Sequence, residues 1–349
     1  WQYRNWEAVL KHFAPGETAV HVSPWRAHLP NDPAVHARAE RETLGWLAAR
    51  GVDAIHGSWE VEPHVFATHA IEPRVVGQRW SKQVRLLYAV ISKKYTYSSL
   101  NQEYDCVLVA SDFGAKQLAP LGVRSRVVGY PKLDPWFDGS LTRASARAAL
   151  GIPAERTVVV YAPTFGTLCA HETYAKAFEA LDLDVEWIGQ LHPCSYLREL
   201  DRFAGALPQA RWVAPEDAGV HVLAAADAIV TDYSGVAFEA CAMDLPVLLL
   251  DIPGLEPSDD VEVRCRDMGP RVMAPNELAP RLEELLGAPE RWAERRAEYR
   301  ETFFAHRGDA GRRAADALRE LESEARYARE KDVDRIYSRM RALEMAAGR

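Results

Sequence analysis

The sequence predicts an α/β protein with two Rossmann-like halves, each built on a parallel sheet. Three observations lead there. Short, wholly apolar runs such as 228–230 and 247–250 alternate with segments of helical period, and runs of that purity suit strands buried on both faces of a parallel sheet. The stretch 224–251, AAADAIVTDYSGVAFEACAMDLPVLLLD, places strand, polar turn, helix and strand in one short span, a βαβ unit. Turn residues gather at about 131–153, and beyond them the same rhythm restarts. The domains expected are 1–135 and 136–315, with 316–349 a helix packing back on the first domain or a tail.

The chain has 349 residues, enough for two domains of ordinary size. Hydrophobic residues make up 48% and charged residues 26%, as in a globular protein. A net charge of −8 argues against general nucleic-acid binding. The cysteines Cys106, Cys169, Cys194, Cys241 and Cys265 are scattered and form no CxxC pair, so neither a zinc site nor a disulfide framework is expected. That usage fits a reducing compartment. No run of 18 apolar residues exists, so nothing is expected to span a membrane, and no signal peptide is visible; the location expected is cytoplasmic, peripheral on the membrane. The chain opens at Trp1 without a methionine, which leaves room for it to be part of a larger protein.

In chain order, 17–22 reads as a strand, and a helix over 33–50 ends at Gly51, a suitable C-cap. Residues 52–56 and 64–69 read as two further strands. His69 then falls at a strand's carboxyl end, on the ligand side of a parallel sheet, where a structural role and a catalytic one stand about level. The stretch 74–94 carries Arg74, Arg79, Lys82, Arg85, Lys93 and Lys94 interleaved with apolar residues. It is expected to be an amphipathic helix, either lying on an anionic membrane surface or showing a solvated basic face. A buried strand follows at 104–111, then a helix at 113–118 and a strand at 126–129. A small helix at 142–150 closes the linker.

The second half offers strands at 157–161, 185–191, 211–213, 228–230 and 247–250, with helices at 174–181, 198–206, 221–226 and 236–243 between them. A parallel sheet gathers the exits of these strands, including Thr164, His192 and the turn 231–235, at one edge. Thr231, Asp232, Ser234 and Gly235 read as a phosphate cradle at a helix start, with Glu239 one turn on and able to reach a second group of the same ligand. The plainer reading, that Thr231 and Ser234 merely cap the helix, has equal standing. From 276 onward the chain is helical and charged, in segments 280–286, 289–306 and 309–347. Arg307-Gly308-Asp309-Ala310-Gly311 interrupts the last two and can offer a guanidinium and backbone N–H groups to an anion.

Five motifs now stand in order: Gly129-Tyr130-Pro131, Tyr161-Ala162-Pro163-Thr164, Leu191-His192-Pro193, Thr231-Asp232-Tyr233-Ser234 and Arg307-Gly308-Asp309-Ala310-Gly311. Over roughly 60–320 this succession resembles the CDP-glycerol glycerophosphotransferase family of teichoic acid and capsule polymerases. The resemblance implies a GT-B architecture, with two Rossmann-like domains facing a cleft and C-terminal helices crossing back. The second domain would bind the nucleotide donor and the first would meet the acceptor. The implied reaction transfers glycerol phosphate, or a related alditol phosphate, from a CDP-activated donor to a lipid-linked glycan at the inner face of the cell membrane. CMP is released.

The family's two histidines map onto His69, in Ala67-Thr68-His69-Ala70, and His192. An attacking hydroxyl must lose its proton, and an imidazole titrating near neutrality suits that task, so His69 is expected to be the general base. His192, Thr164, Thr231, Ser234, Gly235 and Arg307 are expected to hold the pyrophosphate, Glu239 the ribose, and Asp232 the turn geometry. No metal or cofactor is expected, the CDP-alditol being a substrate. The chain departs from the family where Thr-Asp-Tyr-Ser-Gly replaces Thr-Asp-Tyr-Ser-Ser, where Glu239 replaces an aspartate, and at 70–74 after His69. Ser234-Gly235 with Glu239, Ala240 and Pro246-Val247 is also similar to UDP-GlcNAc 2-epimerases and related GT-B glycosyltransferases. A non-catalytic GT-B scaffold in a larger polymerase is the third reading.

Overall fold

The computed structural model describes residues 6–21, 33–55, 65–68, 82–87, 89–90, 96–214, 217–255 and 261–324. Two compact units emerge. Pro135–Glu301 form a central unit, and the chain up to Asp134 joins that from Thr302 onward in a flanking unit. The return to the flanking unit thus begins at Thr302, ahead of the expected boundary at 315.

In the flanking unit, β1 (Ala19–His21) and β2 (Asp53–Ile55) pair in parallel. The strands β3 (Val65–Thr68), β4 (Lys82–Leu86), β5 (Cys106–Val109) and β6 (Ser125–Val127) form a parallel sheet in that order. Side chains alternate across a strand, so each strand feeds two layers. Val84, Leu86, Cys106 and Leu108 meet Ala314, Ala315, Ala317, Leu318 and Leu321 of the helix Ala310–Ser323. Val107 and Val109 turn the other way, toward Leu100, Tyr104, Leu118 and Val123.

Lys82–Leu86 corrects the expectation of a basic helix over 74–94. All five residues are buried and lie between β3 and β5. Apolar residues at 84, 86, 87 and 90 fit either period over so short a stretch, and pairing on both sides decides for strand. Arg85 is wholly buried and donates to Asn101 Oδ1 at 2.6 Å, while Lys82 sits 3.4 Å from Glu324. Neither cation presents itself to a membrane or an acceptor. Arg74, Arg79, Lys93 and Lys94 lie outside the described residues, as does the chain beyond 324.

The central unit carries β7 (Val158–Tyr161), β8 (Glu186–Gly189), β9 (Arg211–Trp212), β10 (Ala228–Thr231), β11 (Val247–Leu250) and β12 (Arg271–Val272). They form a parallel sheet in the order β12-β11-β10-β7-β8-β9. From β7 the strands step one way to β9, and from β10 the other way to β12. The order therefore reverses between β7 and β10, the arrangement of a doubly wound dinucleotide-binding sheet. On one face Val159, Tyr161, Val230, Leu248 and Leu250 pack with Tyr174, Phe178, Phe203 and Leu207.

Local chemistry explains two of the helix starts. Thr142 and Ser145 form a reciprocal capping box ahead of Arg143–Ala149. The helix Pro193–Ala206 starts earlier than the expected 198 because Pro193 suits a first turn, where its missing N–H is no loss. The edge strand β12 has only two residues, too few for any period to reveal it. Its approach to β11 needs Gly269, since a Cβ there would stand 1.7 Å from the Val247 carbonyl oxygen.

Candidate active site

The exits of β8, β7 and β10 lie side by side, with Tyr161 paired to Gly189 on one flank and to Val230 on the other. The segments following them therefore meet at the reversal. Thr231 is fully buried and its hydroxyl donates to the Ala162 carbonyl at 2.6 Å. That bond ties β10 to the exit of β7. Ser234, three residues on, is half-buried beside Gly235, and its Oγ accepts the Val236 N–H at 3.3 Å. The helix Val236–Ala242 follows, with Glu239 buried on it.

Asp232 organises the next layer. It is 1% exposed, and its two oxygens accept N–H groups from Thr164 at 2.8 Å and Ala170 at 3.0 Å. One carboxylate thus grips both ends of the loop between β7 and the helix His171–Glu179. Burial pushes its pKa up to about 6, against the pull of those two N–H groups. The Asp232 carbonyl accepts from the buried Arg266 at 2.8 Å. Arg266 also binds Asp251 at 2.9 Å and lies 4.0 Å over the Tyr233 ring. Asp251 takes a second cation, Arg271.

His192 leaves β8 and opens the helix Pro193–Ala206, its carbonyl accepting N–H groups from Ser195 and Tyr196. Its ring stacks on Phe165, with centroids 4.0 Å apart and planes 28° from parallel. A second histidine, His171, lies buried nearby with Nδ1 3.3 Å from the Tyr161 hydroxyl and its ring 4.0 Å from Phe203. Burial lowers its pKa, which disfavours the imidazolium form, and its Nε2 has no hydrogen-bond partner among the described residues. Sequence reasoning missed Arg266, Phe165 and His171 as neighbours of the turn. An arginine in a charged segment and a histidine in a helix carry no local signal, and only the sheet order brings them in.

His69 lies outside the described residues. Arg307 belongs to the flanking unit, where it is exposed and Nη1 is 3.3 Å from the Phe304 carbonyl. Two of the backbone N–H groups that follow it already have a carboxylate partner. Those of Ala310 and Gly311 are taken by the buried Asp134 carboxylate, at 3.1 and 2.6 Å. The same loop meets Gly129-Tyr130-Pro131. Gly129 has φ +97°, a Cβ on it would come 2.6 Å from both the Ala305 carbonyl oxygen and Ala310, and Tyr130 packs edge-on to Phe304. Two of the five motifs therefore hold each other within the flanking unit, while the other three converge on the reversal.

The sequence model of one protein family, described as CDP-Glycerol:Poly(glycerophosphate) glycerophosphotransferase, matches residues 81–319, more than half of the chain. The chain belongs to that family. A relative of this glycerophosphotransferase-family protein is the teichoic acid glycerol-phosphate primase of Bacillus spizizenii strain W23. It is 25% identical over 125 residues, which are 34% of this chain and 32% of the relative. The match thus spans about a third of that curated relative's length. The wall teichoic acid polymerase TagF superposes with a TM-score of 0.61 at 16% identity, over 78% of each chain. UDP-GlcNAc 2-epimerase from Neisseria meningitidis, bound to UDP-GlcNAc, gives 0.50 at 12% over 83% of each. At such identities the likeness is one of fold, and it bears out the GT-B expectation. The family is one of transferases, so the enzyme class expected from the motifs stands as well.

Proposed function

We propose that this protein transfers glycerol phosphate from CDP-glycerol to a hydroxyl of a poly(glycerophosphate) or other lipid-linked glycan acceptor, with release of CMP. One observation carries the reading: in a chain of this family, three motifs meet where strand order reverses between β7 and β10. Doubly wound sheets take nucleotides outside the carboxyl ends of their strands at such a point. His192, Ser234 and Gly235 supply the donors there, and buried Glu239 stands one turn behind for the ribose. The acceptor oxygen forms a bond to the glycerol phosphate phosphorus as the bond bridging to CMP breaks, and CMP leaves with the electron pair. His69 takes the hydroxyl proton, an assignment resting on the family resemblance. Charge developing on CMP falls to His192 and the neighbouring hydroxyl and backbone donors, without a metal. A lipid-linked acceptor would hold the enzyme peripherally at the inner membrane face. Among the described residues no helix is long and apolar enough to cross a membrane.

The test is CMP release and label transfer from glycerol-labelled CDP-glycerol to a poly(glycerophosphate) primer, with and without EDTA. Turnover that survives EDTA and falls about 10²- to 10³-fold in His192→Ala, with unchanged circular dichroism, is the expected result. Tight binding of UDP-GlcNAc with none of CDP-glycerol would move the protein to the epimerase side. Binding of neither would favour the scaffold.

A further inference from the structure

Phe165 sits at the root of a loop whose tip, Gly166 and Thr167, is exposed. Its two ends are nevertheless held by one carboxylate, that of Asp232, which is itself shut away from water. Burying a carboxylate is costly, and the same two N–H groups could have been satisfied by water or backbone. Asp232 is held in turn by Arg266, which donates to its carbonyl and lies over the Tyr233 ring that follows. One of the two bonds is made by Thr164, the residue before Phe165, and the Phe165 ring covers one face of His192. Two aromatic rings at 4.0 Å restrict each other's tilt, and a tilt of the imidazole redirects both of its nitrogens.

We propose that Phe165 and Asp232 are positioning residues for His192: Asp232 fixes the loop, and Phe165 fixes the plane of the imidazole that meets the donor. The proposal rests on the reading of His192 as a donor-holding residue. Neither Phe165 nor Asp232 touches the reacting atoms in this role. A misplacement of about 1 Å at a reacting group can cost on the order of 10²-fold in rate, so a residue one step removed can matter that much.

The experiment uses the full chain labelled with ¹³C,¹⁵N-histidine. His192 is assigned among the 11 histidines by its loss in His192→Gln. Ring current from Phe165 places its imidazole proton signals upfield. In Phe165→Leu they return downfield and kcat/KM for CMP release falls roughly 10- to 100-fold, whereas Phe165→Tyr restores both. Asp232→Asn keeps the volume but can accept only one of the two N–H groups, and it produces the same two changes with Phe165 intact. Undisplaced signals in the wild type would overturn the proposal. So would displaced signals and normal turnover in a folded Asp232→Asn. Should Asp232→Asn not fold, the half-exposed Phe165 decides alone. If the wild type turns over no CDP-glycerol, the functional reading has failed, and the histidine signals still settle whether the loop orients His192.

Discussion

Asp134 and Asp232 are nearly identical in circumstance: each is almost wholly buried, and each accepts two backbone N–H groups. Burial is tolerable because both oxygens are satisfied, and each carboxylate fastens a segment distant in sequence. For Asp232 the arrangement has a pH signature. Its pKa is pushed up to about 6 in the folded protein against an ordinary 3.8, with burial the main cause. The native state therefore holds this proton to higher pH than the unfolded chain does. The group's contribution to stability is full below pH 3.8 and is lost as pH rises through about 6. Asp232→Asn abolishes that term, so its melting temperature should rise relative to wild type between about pH 4 and pH 7. Parallel melts across that range would show no such drift if the carboxyl were ordinary. How legible was this turn? Its importance was plain in Thr-Asp-Tyr-Ser, but its division of labour was not. Two hydroxyls three residues apart look alike as letters. The strand carries Thr231 into the sheet, whereas Ser234 lies past the turn and half-buried.

At the scale of elements, the strands of the central unit were readable because apolar runs buried on both faces leave no other reading. The 82–86 strand was not, since the partners that let Lys82 and Arg85 be buried, Glu324 far along the chain and Asn101 beyond the strand, leave no mark in the local pattern. The motifs around 129 and 307 were visible, but their contact with each other was not, for a similar reason: turns that bind a ligand and turns that bind another turn use the same glycines. The helix Ala310–Ser323 makes this concrete. Gly311 lies where a Cβ would come 2.1 Å from the Ala8 carbonyl oxygen, while Gly205, in the helix Pro193–Ala206, has nothing within 4 Å. Gly311→Ala should cost about 1–3 kcal/mol by overpacking, seen as a lower midpoint in urea. Gly205→Ala should stabilise by roughly 0.5–1 kcal/mol through helix propensity. Equal effects of the two would mean that the helix does not pack as closely on the 7–10 segment as described.

For the whole molecule, the two-half organisation was legible, and the place where the chain leaves the central unit was not. The helix Ala293–Phe303 runs across the change of unit, so no break in pattern falls at 302, and the interruption the sequence does show, at 307–311, comes after it. The flanking unit is consequently discontinuous, with Ala310 bonded to Asp134 across 176 positions and Glu324 paired to Arg124 across 200. That discontinuity sets an order on the ribosome. Synthesis of residues 135–301 takes roughly 10–30 s at 5–20 residues per second, and throughout it the sheet of β3 to β6 lacks the helix that covers one face. Val84, Leu86, Cys106 and Leu108 are then a sticky surface in need of a chaperone, while the central unit is completed as one continuous piece. Nascent chains stalled with residue 301 just outside the exit tunnel should yield a protease-resistant central unit and a digested flanking one. Release of 302–324 from the tunnel should protect both.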